Sequence, residues 1–136
     1  MTRTSEHIED FIDTLTSWAS TQPDIMAVAL VGSYAREAAS ETSDIDLVLL
    51  VNDAKVYLEN TGWLKRFGPI EKQQTEDYGN VKSLRVWYDG GHEVEYGLTT
   101  RDWVQLPLDE GTWRVIKDGM RILLERETLL SPHLQD

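Results

Sequence analysis

Two apolar runs, Ile25 to Val31 and Ile45 to Val51, constrain this chain most, because the connection between them opens on Gly32-Ser33 and closes on Asp44. Runs this short, rich in Val, Ile, Leu and Ala, read as buried strands rather than helices. Gly32 supplies backbone freedom at the end of the first run, and Ser33 to Ala39 reads as the first turns of a helix. In the second run, side chains two apart share a face, so Asp44 and Asp46 point together while Ile45 and Leu47 enter an apolar layer. Two carboxylates on one face repel, and a divalent cation between them makes the arrangement tolerable. With no Cys and only three scattered His, oxygen-only ligation points to Mg²⁺ or Mn²⁺. Gly32 and Ser33 offer backbone N–H groups and a hydroxyl at a helix start, where phosphate is favoured.

The rest of the chain supports a mixed architecture. Ile8, Phe11, Ile12, Leu15, Trp18 and Ala19 recur at helical spacing with acids between them, which predicts an amphipathic helix capped by Thr4 or Ser5 and ended by Pro23. Asn52 or Asp53 caps a short helix through Glu59, and Thr61 caps another through Phe67, stopped by Gly68-Pro69. Ile70 to Tyr78, Val81 to Asp89 and His92 to Thr99 alternate apolar and polar residues around Gly79-Asn80 and Gly90-Gly91, a hairpin pattern. Short helices are expected at Asp102 to Val104 and Glu110 to Lys117, and a strand or helix continuation at Arg121 to Glu125. The fold class is therefore α/β of the α+β kind: a mixed, largely antiparallel sheet with helices packed on it, in a single domain spanning 1–136.

Composition narrows the function. Twenty-four acids against thirteen Lys and Arg give a formal charge of −11, which repels phosphate backbones and anionic lipid and argues against nucleic-acid binding. The first 54 residues hold ten of those acids and only Arg3 and Arg36. Without Cys, disulfides, thiolate metal sites and cysteine nucleophiles are excluded. No run reaches the roughly twenty apolar residues of a membrane span, and the start has no uninterrupted apolar signal-peptide region, so a cytoplasmic protein is expected. Lys65, Arg66, Lys72, Lys82 and Arg85 read as strand and helix charges facing water. The three His read as surface residues, and the five Trp as core or interface anchors.

The stretch VGSYAREAASETSDIDLVLLV resembles the signature of the nucleotidyltransferase superfamily that includes DNA polymerase β: an apolar residue, Gly-Ser, about ten residues, then Asp-apolar-Asp. Val31, Gly32, Ser33, Asp44, Ile45, Asp46 and Leu47 carry the match, and Arg36 stands where small bacterial members have Gly-Ser-x-Ala-Arg. Glu37 departs from the Gly that often follows that Arg. The family's third carboxylate, on a later strand between apolar residues, matches Glu95 between Val94 and Tyr96; Glu93, nearer the Gly90-Gly91 turn, reads as a solvated hairpin end. The resemblance implies a minimal nucleotidyltransferase of the bacterial and archaeal MNT type, or an aminoglycoside-nucleotidyltransferase-like core. It implies transfer of a nucleoside monophosphate, AMP from ATP, to a hydroxyl acceptor with release of pyrophosphate. Asp44, Asp46 and Glu95 would be the catalytic and metal-ligating residues, and Gly32, Ser33 and Arg36 would bind the nucleotide phosphates. The acceptor would be a small molecule or a protein hydroxyl, reached as a homodimer or with a helical partner. The alternative is an antitoxin module that binds a helical HEPN toxin, with or without adenylylating it.

Overall fold

The computed structural model describes residues 2–35, 44–79, 81–89 and 92–133, with side chains from Ile8 onward. The helical stripe read from the sequence forms one side of α1 (Thr2–Ser20), with Ile8, Phe11, Ile12, Leu15, Trp18 and Ala19 all buried. Thr4 and Ser5 lie within this helix rather than capping it, because it begins at Thr2. Its far end is closed by Arg126, whose guanidinium donates to the carbonyls of Ser20, Gln22 and Ile25 at 2.8–3.2 Å. A cation there satisfies carbonyls that a helix terminus leaves without partners.

Six strands follow among the described residues: β1 (Ile25–Val31), β2 (Ile45–Val51), β3 (Ile70–Asp77), β4 (Lys82–Tyr88), β5 (Glu93–Thr99) and β6 (Met120–Glu125). They form one sheet in the order β3-β4-β5-β2-β1-β6. β2 and β5 pair in parallel and the other pairs are antiparallel. The sheet is thus mixed and largely antiparallel, and Met120–Glu125 resolves as a strand.

β1 and β2 are central and covered on both faces, which is why each reads as a nearly continuous apolar run, broken only by Asp46 at the start of β2. Ile45, Leu47 and Leu49 face α1 with Val28, Leu30, Val94, Tyr96 and Leu98. Val48 and Leu50 face the other way, with Ala27, Ala29 and Val31, against Trp103 and Leu130. Each fully buried Leu contributes roughly 1.5–3 kcal/mol. Among the described residues, two α-helices punctuate the connections. α2 (Ala54–Glu59) is capped by Asp53, which accepts from Lys55 N, and α3 (Glu110–Asp118) by Asp109, which accepts from Thr112 N. A 3₁₀ segment, Thr61–Phe67, places Trp63 against Trp18 in a parallel stack 5.2 Å apart.

One surface expectation is corrected. His92 is not a free surface residue: it packs against Phe11 and Tyr88, with ring centres 5.9 and 5.4 Å away. Trp18 and Trp103 are core residues, whereas Trp113 on α3 is half exposed. Asn80, Gly90 and Gly91, read as turn residues, lie outside the described residues.

Candidate active site

The chain leaves β1 through a single 3₁₀ turn, Gly32–Tyr34. The helix expected from Ser33 to Ala39 is, in its described part, this turn followed by Ala35; residues 36–43, and with them Arg36, lie outside the described residues. Gly32 adopts φ +75°, a region that side chains disfavour. A Cβ placed on it would stand 2.3 Å from Asp46 Oδ2. Glycine is therefore required twice, by backbone conformation and by the carboxylate against it. The strand register explains the proximity, since Val31 on β1 is the partner of Asp46 on β2.

The same register brings in the third carboxylate. Asp46 is opposite Glu95 across the parallel β2–β5 pair. Asp44, Asp46 and Glu95 each offer a carboxylate oxygen, and these oxygens lie within 4.8 Å of one another. All three residues are half-buried. Burial, followed by the charges of Asp44 and Glu95, pushes the Asp46 carboxyl up to about 7. The trio is thus a site that resists its own negative charge, and its all-oxygen donor set suits a hard divalent cation, which would relieve that repulsion. Tyr34, in the adjoining turn, is raised by burial and by the charge of Asp44. Ser33 sits in that turn, beside Gly32.

Arg85 is the residue that the sequence reading misplaced. On β4 it is the register partner of Glu95, and its side chain is only 20% exposed. Its guanidinium donates to Glu95 Oε1 at 3.1 Å, Asp44 Oδ2 at 3.3 Å and both Glu76 oxygens at 3.3–3.4 Å, and also to Glu93. Burial opposes its charge, yet hydrogen bonds to Glu76 and Glu93 and the charge of Glu95 hold it above its ordinary range. Glu93 is correspondingly no solvated hairpin end: Arg85 binds it beside Glu95. Glu76 is pulled down to about 2 by hydrogen bonds from Tyr78, Arg85 and Gln74. Alternation along β4 suggested a water-facing charge because period-two patterning says which face a residue takes, not what covers it. The usable signal was Arg85 standing on the same sheet face as four acids, visible only once strand order is known.

Beside the carboxylates opens a cleft of about 640 Å³. Gly32, Asp46 and Glu95 line one part, and Val48, Trp103 and Val115 give the rest an apolar wall. With a divalent cation on the carboxylates to offset their charge, this end next to an apolar recess suits a ligand that is part anionic and part aromatic or apolar.

This sheet, with its glycine turn and paired strand carboxylates, is the nucleotidyltransferase fold, and solved structures agree. An aminoglycoside 6-adenyltransferase from Bacillus subtilis superposes with a TM-score of 0.56 at 21% identity, over 68% of this chain and 35% of that one. Cid1 bound to the UTP analogue UMPNPP gives 0.55 at 15% identity, over 86% and 34%. Cid1 with its product ApU gives 0.53 at 17% identity, over 74% and 32%. The chain therefore spans about a third of the length of these solved proteins, and at such identities the likeness concerns the fold. The sequence carries the match further: residues 4–135 fit the streptomycin adenylyltransferase family, to which this chain belongs. Among curated proteins no sequence matches it. No helix among the described residues is long and apolar enough to cross a membrane.

Proposed function

We propose that this protein, a single domain, is a divalent-cation-dependent nucleotidyltransferase that moves AMP from ATP onto a hydroxyl group and releases pyrophosphate. The observation that carries this reading is the convergence of Asp44, just before β2, Asp46 on β2 and Glu95 on the parallel β5 beside the Gly32 turn. Membership of an adenylyltransferase family supports AMP as the transferred group.

Magnesium or manganese, when bound by these carboxylates, supplies positive charge against the oxygens that enter and leave the α-phosphorus. Asp44 and Asp46 hold it on one strand, and Glu95 completes the ligand set. Glu95 also accepts the proton of the attacking hydroxyl. The hydroxyl oxygen forms its bond to the α-phosphorus as the bond to the bridging oxygen breaks, and that electron pair leaves with pyrophosphate. Ser33 and the backbone N–H groups around Gly32 bind the β- and γ-phosphates, and Arg36 offsets charge on the leaving group. The apolar wall of the cleft takes the nonionic part of the substrates. The acceptor is a hydroxyl of a small molecule or of a protein.

The test is incubation with α-labelled nucleoside triphosphates, Mg²⁺ or Mn²⁺, and cell extract. Metal-dependent labelling from ATP is expected, either in small molecules or in protein, and chelation should abolish it. Label on a Tyr of a small helical protein would identify the antitoxin variant of this chemistry. Absence of any metal-dependent nucleotide binding at millimolar concentration would overturn the proposal.

A further inference from the structure

Arg85 touches two groups of carboxylates at once. Asp44 and Glu95 belong to the proposed metal site, whereas Glu76 and Glu93 stand outside it, on β3 and near the start of β5. A carboxylate bound to both a guanidinium and a divalent cation brings two cations together, so the two compete for Asp44 and Glu95. Glu76 and Glu93 matter for the same reason. They keep the guanidinium paired if it releases the other two, and so avoid leaving a half-buried charge without a partner.

We propose that Arg85 is a positioning residue that serves as the site's resident counter-cation, holding Asp44 and Glu95 beside Asp46 until a divalent cation draws them away and leaves the guanidinium on Glu76 and Glu93. The inference rests on the metal-dependent reading above and deepens it. It explains why the site is flanked by two further acids that the transfer chemistry does not need. It also distinguishes Arg85 from an ordinary cross-strand ion pair, whose loss would either leave metal binding alone or weaken it through disorder.

Mn²⁺ binding, followed by electron paramagnetic resonance on wild type, Arg85→Gln and Arg85→Lys, separates these cases. Arg85→Gln is expected to bind Mn²⁺ about threefold or more tightly than wild type, because a competing charge has gone. Arg85→Lys should stay near the wild-type affinity. Metal-free Arg85→Gln should also melt below wild type and gain more from saturating Mn²⁺. Unchanged or weakened binding in folded Arg85→Gln overturns the inference. Should that variant not fold, the Arg85 Nε–H resonance of the wild-type protein decides: it is expected to move on Mg²⁺ addition, and a resonance that stays in place at saturation overturns the proposal. Wild-type protein that takes up no Mn²⁺ at all defeats the metal-dependent function itself. Wild type that binds while Arg85→Gln is unaltered defeats only the role of Arg85.

Discussion

Asp46 and Glu95 are register partners across the β2–β5 pairing, the one parallel pairing among the described residues. They come from positions 49 residues apart in the chain, and the parallel register sets both side chains on the same face of the sheet. A one-residue slip would turn one of them into the apolar layer against α1. The predictions below depend on this pairing or on the packing that holds it.

Asp46→Asn keeps the shape of the side chain and removes its charge. Nucleotide transfer is expected to fall by more than about 100-fold, since even the loss of an outer-shell partner to a metal ligand costs roughly 10–100-fold. Circular dichroism should show an intact fold. Comparable turnover in this variant would rule out the assigned role of the trio.

The raised Asp46 carboxyl gives a pH dependence of definite sign. Its ordinary value is 3.8 and its folded value about 7, so between these limits the folded chain binds more protons than the unfolded one. Stability from this group is therefore greatest below that window and declines as pH rises through about 7. Denaturation of metal-free protein across pH 4–8 should show this downward contribution, and its absence in Asp46→Asn identifies the source. Saturating Mg²⁺ should remove most of it. The Glu76 contribution is separated in pH, being lost only as pH falls from 4.5 toward about 2.

Gly32→Ala puts a methyl group where Asp46 Oδ2 stands at 2.3 Å and forces a side-chain-bearing residue to φ +75°. The backbone alone costs about 1–2 kcal/mol. Urea denaturation should show at least that loss, and metal affinity should fall because Asp46 must move. Combining Gly32→Ala with Asp46→Ala should recover part of the stability, since the carboxylate that the new methyl group meets is gone.

Tyr88 and Tyr96 form a buried pair whose proton order is fixed by its surroundings. Tyr88 donates its one hydroxyl proton to the Leu64 carbonyl at 2.9 Å, so Tyr96 must be the donor in their 2.8 Å contact. Tyr88→Phe therefore strands the Tyr96 hydroxyl, at roughly 1–3 kcal/mol for a buried unsatisfied group, and also removes the bond to the Leu64 carbonyl. Tyr96→Phe removes one bond and leaves Tyr88 donating as before. Thermal denaturation should rank Tyr88→Phe as clearly the more destabilising, and an equal or reversed ranking would contradict this proton order.

Much of the architecture was legible because its signals are local. The two apolar runs became β1 and β2 at the expected bounds, since strands covered on both faces are apolar at every position but Asp46 and, by burial, stand out from their polar flanks. Asp53 signalled its helix by side-chain capping, a contact made within two residues. Gly32-Ser33 and Asp44-x-Asp46 were visible because both are short-range motifs. Of the helix expected from Ser33 to Ala39, one 3₁₀ turn and Ala35 are described, and the remainder lies outside the described residues.

By itself, then, the sequence determined the strands, the helices and the pair of aspartates, because periodicity, caps and turns are properties of neighbouring residues. Only the tertiary structure decided what surrounds that pair. Strand order β4-β5-β2-β1 sets Arg85, Glu95, Asp46 and the Gly32 turn side by side across the sheet. Charges judged one strand at a time looked solvated; joined through hydrogen-bonded neighbours, they form a half-buried network in which one arginine serves four carboxylates. Side-chain alternation fixes a face, but lateral neighbours are chosen by how the whole sheet closes over its two apolar layers.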